Sequence, residues 1–243
     1  MGRPWHSTTT LAPLAVVTWT IEPERLARVL PPGIDPDVVG VDGASVALGS
    51  LVAFVARGFH FRGAPFVRHT FGQVDHRVHV RRQGERGVWF VAASIDSPLA
   101  WLPRAVWAMP WHRDRIRVDA DGDESFRLST TGGTRDSEIE LVVGTDDRPE
   151  DGHDVAAITD PVLGWYPRTR GGIASYEVRH PPFDLRPMVV RRAAAGALRH
   201  LDLIDEGQPP LAAGVAAASP LDLLALPATI TVVDGRPSLT IDD

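Results

Sequence analysis

The chain has 243 residues, of which 44% are hydrophobic, and it carries a formal net charge of −6 at pH 7. That length and composition suffice for one sizeable core, and no long linker interrupts the chain, so a single domain spanning residues 1–243 is predicted. The net negative charge argues against nucleic acid or an anionic membrane as the main partner, and it leaves small molecules and other proteins.

The chain contains neither cysteine nor lysine, because all 25 residues counted as lysine plus arginine are arginines. The missing cysteine excludes disulfides, thiolate nucleophiles and cysteine metal sites. The missing lysine excludes a Schiff base between a side chain and a carbonyl substrate or pyridoxal phosphate, and it excludes a P-loop. No cofactor is therefore predicted.

The chain has no uninterrupted apolar run of the roughly 18 residues that a membrane span needs. Residues 1–6 also lack the apolar centre of a signal peptide. A cytoplasmic location is expected.

Strands dominate the predicted elements. They are expected at residues 11–19, 44–56, 71–80, 88–95, 115–119, 125–129, 137–143 and 173–178, and as a final hairpin at 228–233 and 238–241. Helices are expected at residues 21–30, 98–109 and 191–201, and a solvated acidic loop at 146–154. Because βαβ alternation is absent, the pattern indicates an α+β domain with an antiparallel sheet, on which the helix at 98–109 packs.

The functional argument depends on the strand at residues 71–80. Alternation places four polar side chains on one of its faces, namely Gln73, Asp75, Arg77 and His79. The other face carries Val74, His76, Val78 and Val80. Either face could line a cavity, but polar groups in register suit a hydrated pocket and are costly against an apolar core. We therefore predict that Arg77, and not His76, points into the cavity.

Three of the polar residues have a functional and a structural interpretation. Arg77 could bind a carboxylate or phosphate, or it could be a structural arginine paired with an acid such as Asp75. Asp75 would be a general base if burial raises its pKa, whereas an arginine partner would lower the pKa and make it structural. His112 is either a proton-transfer residue or a histidine held by the backbone at a turn.

No metal site is predicted. His76 and His79 are three residues apart on a strand and should face opposite ways, so they need His112 or His180 from another element to form a site. No serine has the flanking pattern of a nucleophile elbow.

Five segments occur in the order and spacing of one known group. They are residues 24–33 (Glu-Arg-Leu-Ala-Arg-Val-Leu-Pro-Pro-Gly), residues 71–80 with the central Arg77, Val88-Trp-Phe90, Pro110-Trp-His112 and the run from His180 to Arg186 (His-Pro-Pro-Phe-Asp-Leu-Arg). Together they resemble the YqjF-like, largely uncharacterised branch of the acetoacetate decarboxylase superfamily, over residues 11–188. The resemblance implies an antiparallel β-barrel or cone with flanking helices, an internal cavity for a small molecule, and commonly a homo-oligomer.

Two departures from that family bear on chemistry. Acetoacetate decarboxylases carry a catalytic lysine just after a proline, at the turn that matches Pro110-Trp111-His112 here, so decarboxylation through a Schiff base is not available. The strand acid of the family is replaced by Gln73. The resulting candidate catalytic residues are Asp75, Arg77 and His112, and the candidate substrate-binding residues are Gln73, His79, Trp89, Trp111 and His180.

Two classes of function follow from these residues. The first is a lysine-independent lyase or isomerase that transfers a proton on a small carbonyl or carboxylate compound. The second is a non-catalytic protein that binds or senses a hydrophobic metabolite. Convergent ionisable groups in the cavity would favour the enzyme, and an aromatic and aliphatic pocket would favour the binding protein.

Overall fold

The computed structural model describes residues 6–101, 104–105, 109, 111–122, 124–144, 163–168, 172–181, 183–216 and 219–224. In chain order the strands are β1 (Ser7–Ile21), β2 (Asp35–Pro36), β3 (Val39–Val41), β4 (Ala44–Phe61), β5 (His69–Arg82), β6 (Glu85–Ile95), β7 (Trp111–Arg113), β8 (Arg115–Asp121), β9 (Ser125–Thr131), β10 (Ser137–Val142), β11 (Leu163–Pro167), β12 (Ile173–Arg179), β13 (Arg186–Pro187), β14 (Val189–Ala195), β15 (Ala212–Ala216) and β16 (Ser219–Leu224). The helices are α1 (Pro23–Val29) and α2 (Gly196–His200), and 3₁₀ turns lie at Pro98–Ala100 and Gly133–Arg135.

Twelve of the strands form one large sheet whose pairings lead back to β1. β1 pairs with β4 along most of its length and with β16 through its first residues. From β4 the pairing passes through β5, β6, β11 and β12 to β16. The sheet is only loosely a barrel or cone, because β6 and β11 share two residue pairs and β13 and β15 branch away at β1. The α+β prediction is confirmed, and the pairings of β6 with β7 and β11 are short parallel exceptions to the antiparallel sheet.

The main core lies between the large sheet and a second sheet of four strands, in the order β14-β10-β9-β8. β9 and β10 alternate regularly, so that Phe126 and Leu141 are fully buried on the inner side of the small sheet. They belong to one cluster with Trp19 and Val78 of the large sheet. The burial of these apolar side chains between the sheets stabilises the fold.

The opposite side of the large sheet carries two smaller apolar clusters. One contains Val16 and Val52, and the other contains Val88 and Phe90. We refer to the side of the large sheet defined by these four residues as the interior face.

A β-bulge in β6 changes which residues reach the interior face. Arg77 of β5 pairs with Phe90 and His76 pairs with Ala92, so Val91 is one extra residue in β6. A bulge of this kind resets the alternation of the strand. Phe90 and Ala93 consequently lie on the same face although they are three residues apart.

The solvent side of the small sheet is lined by charges of alternating sign. The register places Asp119, Arg127, Glu140 and Arg192 side by side on successive strands. Arg127 Nε lies 3.4 Å from Glu140 Oε1. Cross-strand pairs of opposite charge support the register of a sheet.

The helix predicted at residues 191–201 is wrong over its first half. β14 extends to Ala195, and α2 begins only at Gly196. Residues 192–195 pair with β10, and this tertiary pairing overrides the helix propensity of the alanines. Gly196 has to be glycine-sized, because a Cβ there would collide with the backbone of Asp136.

The segment at residues 98–109 starts with a 3₁₀ turn, whose first free amide is capped by Ser97 Oγ. Trp101, Arg104 and Ala105 are helical, and Trp101 is 60% exposed. The rest of this predicted helix, apart from the buried Met109, lies outside the described residues, as do the acidic loop at 146–154 and the final hairpin at 228–241. The other predicted strands and the helix at 21–30 are confirmed.

Candidate functional site

Four polar side chains of β5 are buried side by side on the interior face. They are Gln73, Asp75, Arg77 and His79, and none is more than 9% exposed. Asp75 lies opposite Val52 in the register with β4, and residues that are directly opposed in an antiparallel pair share a face. The alternation expected from the sequence is the one observed.

The carboxyl group of Asp75 is held by its neighbour Gln73. Gln73 Nε2 donates to Oδ1 at 2.9 Å and to Oδ2 at 3.0 Å. Burial raises the pKa of Asp75 to about 7, although the hydrogen bond from Gln73 and the charge of Arg77 both act to lower it. Desolvation therefore outweighs both partners. Near neutral pH this carboxyl group can both accept and release a proton.

Arg77 supplies a buried cation beside that carboxyl group. Burial lowers the pKa of Arg77, and the charge of Asp75 acts to raise it. An arginine side chain remains protonated in proteins, so the guanidinium stays charged and its planar donors suit a carboxylate. The interior face thus combines a fixed positive charge with a carboxyl group that titrates.

Tyr176 of β12 is a member of this group that the sequence did not single out. It pairs with Gly164 of β11, which in turn pairs with Val88 of β6, so its side chain shares the interior face. Its ring centroid lies 5.4 Å from that of Phe90. Burial raises the pKa of Tyr176 well above 10, with a further rise from the charge of Asp75 and an opposing effect of Arg77. The hydroxyl is therefore neutral and able to donate.

The absence of a side chain at Gly164 leaves the space that the Tyr176 ring occupies. A Cβ on Gly164 would lie 2.8 Å from Phe90 Cε2 and 2.9 Å from Tyr176 Cζ. No local pattern marks Tyr176, because its approach to Arg77 depends on the pairing of β6, β11 and β12. A tyrosine in a predicted strand is the only signal that could have drawn notice.

His79 is joined to the neighbouring strands by hydroxyl groups. Its Nε2 lies 3.1 Å from Ser50 Oγ, and Ser50 Oγ lies 3.2 Å from Thr18 Oγ1. This chain of polar contacts crosses β5, β4 and β1.

Trp111 and His112 lie on opposite faces of β7. The parallel register places Trp111 beside Ala93 and His112 beside Ser94. Trp111 packs with the apolar cluster of the interior face. The structure does not bring His112 together with Asp75 and Arg77, because strand alternation turns it toward the small sheet.

Trp89 and His180 also lie apart from the polar group. Trp89 pairs with Val78 and belongs to the core between the sheets, since alternation along β6 directs it away from the interior face. His180 Nδ1 lies 2.7 Å from the Pro181 carbonyl oxygen, and its ring stacks on Phe183 with centroids 4.0 Å apart. His180 fixes the turn that follows β12.

A family model, DUF2071, described as an uncharacterized conserved protein, matches residues 8–220. The chain belongs to the DUF2071 family. No curated protein has a sequence that matches it.

Solved structures share the fold of this DUF2071 chain at low sequence identity. The enduracididine biosynthesis enzyme MppR complexed with pyruvate has 16% identity and a TM-score of 0.59, with 92% of this chain and 89% of that chain covered. Acetoacetate decarboxylase from Legionella pneumophila has 12% identity and a TM-score of 0.60, with 95% and 88% covered. An acetoacetate decarboxylase-like enzyme from Sphingomonas wittichii has 11% identity and a TM-score of 0.62, with 93% of each chain covered. The family resemblance and the acetoacetate decarboxylase-like fold are thereby confirmed.

A second buried polar cluster of the DUF2071 chain lies between its two sheets. Arg135 Nε is 3.2 Å from Asp114 Oδ2, and a second guanidinium nitrogen is 3.3 Å from Oδ1. Asp114 and Arg135 are 7% and 6% exposed. Ser94 of β6 donates to the same carboxylate, which packs against Gly132. The cluster joins the end of β7 to the small sheet.

His76 lies beside this cluster as a neutral side chain. Ser137 Oγ donates to the Arg135 carbonyl oxygen at 3.0 Å, so His76 Nε2, 2.8 Å away, donates to Ser137 Oγ. Burial, assisted by the charge of Arg135 and opposed by that of Asp114, lowers the pKa of His76 to about 3. A neutral histidine between two sheets has a structural role.

The described part of the DUF2071 chain contains no group of three or more histidine, aspartate or glutamate side chains placed to hold a metal ion. Within the same residues, every helix is too short or too polar for a membrane span.

Proposed function

We propose that this protein binds a small carboxylate or carbonyl compound in a cavity on the interior face and transfers a proton on it, as a lyase or isomerase does. The observation that carries the proposal is that Asp75, whose pKa is raised to about 7, is buried on the same face as the cation of Arg77. Acidic and basic side chains that lie close together and have strongly shifted pKa values are typical of catalytic sites.

Arg77 is the anion anchor in this proposal. A carboxylate held by a guanidinium gains charge-assisted hydrogen bonds, each worth about 1.5–3 kcal/mol. The side chain is buried and faces the same side as Asp75, so a carboxylate bound to it would lie next to the titrating group.

Asp75 is the proton-transfer group. In its ionised form it takes a proton from the carbon next to the ligand's carbonyl group; the electrons of the C–H bond form a C=C bond, and the carbonyl π electrons move to oxygen. The reverse step returns the proton, so no oxidant or co-reactant is needed. Gln73 orients the carboxyl group through its two hydrogen bonds.

The comparisons support the choice of ligand class. MppR, which has this fold, was solved with pyruvate, a carboxylate next to a carbonyl group. Pyruvate is therefore the probe for the experiments on this chain.

The absence of lysine distinguishes this site from one that works through an imine. Incubation with pyruvate or acetoacetate and borohydride should leave no adduct on any side chain, because no side chain can form a Schiff base. Mass spectrometry of the digested protein checks this. An adduct within the chain, away from the N-terminal amine, would contradict it.

The proposed function is tested by the exchange of the pyruvate methyl protons for deuterium in D₂O, followed by proton NMR. The wild-type protein should accelerate exchange, and Asp75→Asn should reduce the acceleration by about a hundredfold, the lower end of the effect of a general base. A wild-type protein that leaves the exchange rate at that of buffer would overturn the proton-transfer proposal.

The anchor role is tested by the variant Arg77→Met. Pyruvate binding should weaken by about tenfold or more, while its neutral methyl ester is nearly unaffected, because only the carboxylate gains from the cation. Isothermal titration calorimetry measures both ligands. Arg117→Met, which removes an exposed arginine of the small sheet, is the matched control. Equal losses for acid and ester would refute the anchor.

Non-catalytic binding of a small hydrophobic metabolite is the second candidate. It is favoured by the aromatic and aliphatic side chains that share the interior face, among them Phe54, Phe90 and Trp111. No acceleration of exchange, together with binding that does not depend on the carboxylate of the ligand, would select this candidate.

Three further proposals concern the protein as a whole. The pairing of β1 with β16 supports one domain for the entire chain, because strands from both ends of the described chain complete the same sheet. A homo-oligomer and a cytoplasmic location are proposed from the family resemblance and the sequence.

A further inference from the structure

We propose that Tyr176 is a catalytic residue whose hydroxyl donates a hydrogen bond to the carbonyl oxygen of the ligand and stabilises the negative charge that develops there. This inference rests on the proposed proton transfer by Asp75 and names a group that completes it.

The chemistry requires such a donor. When a proton leaves the carbon next to a carbonyl group, negative charge accumulates on the carbonyl oxygen. A lysine imine would accept this charge, and the present chain contains no lysine. A donor aimed at the developing oxyanion is the usual alternative.

Three positional features single out Tyr176 for this role. Its side chain reaches the interior face through the pairs Tyr176–Gly164 and Gly164–Val88. It is close enough to Asp75 and Arg77 for both charges to act on its hydroxyl. Its ring is held against Phe90 by the space that Gly164 leaves. Tyr176, which is partly buried, thus lies on the same face as the proton-transfer residue and the anchor.

The two donors, Arg77 and Tyr176, should affect different measured quantities, because they contact ligand oxygens that are negatively charged at different stages. Arg77 binds the carboxylate, which is negative before and after proton transfer, so its effect falls mainly on binding. Tyr176 contacts an oxygen that becomes negative only during the reaction, so its effect falls on the rate of exchange. A neutral phenol can remain beside Asp75 in either protonation state of that carboxyl group.

The neighbouring Tyr166 provides a matched control. Tyr166 is also a tyrosine and is only 3% exposed, and its ring centroid lies 6.0 Å from that of Tyr176. Burial raises the pKa of Tyr166 to about 12, and the charge that acts on it is that of Arg168. Removal of its hydroxyl therefore changes the same aromatic contact without removing the proposed donor.

The experiment compares Tyr176→Phe with Tyr166→Phe in two measurements, the dissociation constant of pyruvate and the rate of methyl proton exchange at saturating pyruvate. Tyr176→Phe should slow exchange by about a hundredfold, as the loss of one oxyanion donor does, and should change the dissociation constant less than threefold. Tyr166→Phe should change neither. Exchange by Tyr176→Phe at the wild-type rate would overturn the inference.

Gly164→Ala provides an independent second variant, because it keeps the hydroxyl and displaces the ring. The added methyl group should slow exchange while the Arg77-dependent preference for pyruvate over its methyl ester persists. Unchanged exchange in this variant would also count against Tyr176.

The two proposals fail in distinguishable ways. If the wild-type protein does not accelerate exchange, the proposed function is wrong. If the wild-type protein accelerates exchange, Asp75→Asn reduces that acceleration and Tyr176→Phe does not, the proposed function stands and the role of Tyr176 is wrong.

Discussion

Replacement of Arg135 by methionine is expected to lower the free energy of unfolding by about 3–5 kcal/mol, because it leaves the buried carboxylate of Asp114 without its cation. The two side chains are almost fully buried and are joined by two hydrogen bonds. The hydroxyl of Ser94 would remain as a partner, but a single hydrogen bond does not replace a buried charge. Urea unfolding followed by circular dichroism measures the change.

Arg192→Met is the matched control for this prediction. Arg192 forms an ion pair with Glu138 at 2.6 Å, yet its side chain is 62% exposed. An exposed ion pair contributes little to stability, so this variant should unfold close to the wild-type midpoint. The double variant Arg135→Met with Asp114→Asn should be more stable than Arg135→Met alone, since it removes the unpaired charge. Equal destabilisation by the buried and exposed replacements would contradict the distinction.

The second large effect concerns the pH dependence of stability. The pKa of Asp75 is about 7 in the folded protein and 3.8 at its ordinary value. The folded state therefore holds a proton that the unfolded state has released, and stability should fall as pH rises from about 4 to about 7. A shift of this size corresponds to a few kcal/mol. Well above pH 7, Asp75 is ionised in both the folded and the unfolded state, so it causes no further loss of stability.

Asp75→Asn isolates this contribution from the other titrating groups. The variant cannot ionise at position 75, so the difference between wild-type and variant unfolding free energies should change in favour of the variant between pH 4 and 7. Arg77→Met provides a second check, because it should raise the pKa of Asp75 further, whereas Asp75→Asn removes the ionisation altogether. Because the charge of Arg77 lowers the pKa of Asp75, its removal should extend the fall in stability to higher pH. A difference curve that is flat from pH 4 to 7 would show that Asp75 is not strongly desolvated.

The sequence predicted the fold where local pattern and tertiary pairing agree. The polar and apolar alternation of residues 71–80 and the glycines of the turn at residues 83–87 anticipated the hairpin of β5 and β6. The helix predicted at residues 191–195 was wrong, because alanines favour a helix but this segment pairs with β10 as a strand. The second sheet was not foreseen, since the pairing of β14 with β10 joins strands about fifty residues apart.

The candidate site shows the same difference between residues that a local pattern predicts and residues that depend on tertiary pairing. Gln73, Asp75 and Arg77 were correctly predicted to share a face, because alternation along one strand is a local rule. Tyr176 was missed because it reaches them only through two intervening strands. His112 and Trp89 were placed with the polar group on the basis of resemblance and residue type, whereas the register of β6 and β7 directs both toward the core between the sheets.

The bulge at Val91 lets both buried polar groups of the protein keep their places although β6 has one extra residue. If Val91 paired regularly with His76 instead, every residue from Ala92 onward would turn to the other face of the sheet. The Ser94 hydroxyl would then leave Asp114 and lie opposite Gln73 on the interior face, and the methyl group of Ala93 would take its place against the ion pair. Deletion of Val91 should therefore leave both polar groups intact, because Ala92 stays opposite His76 and Ser94 stays on its present face.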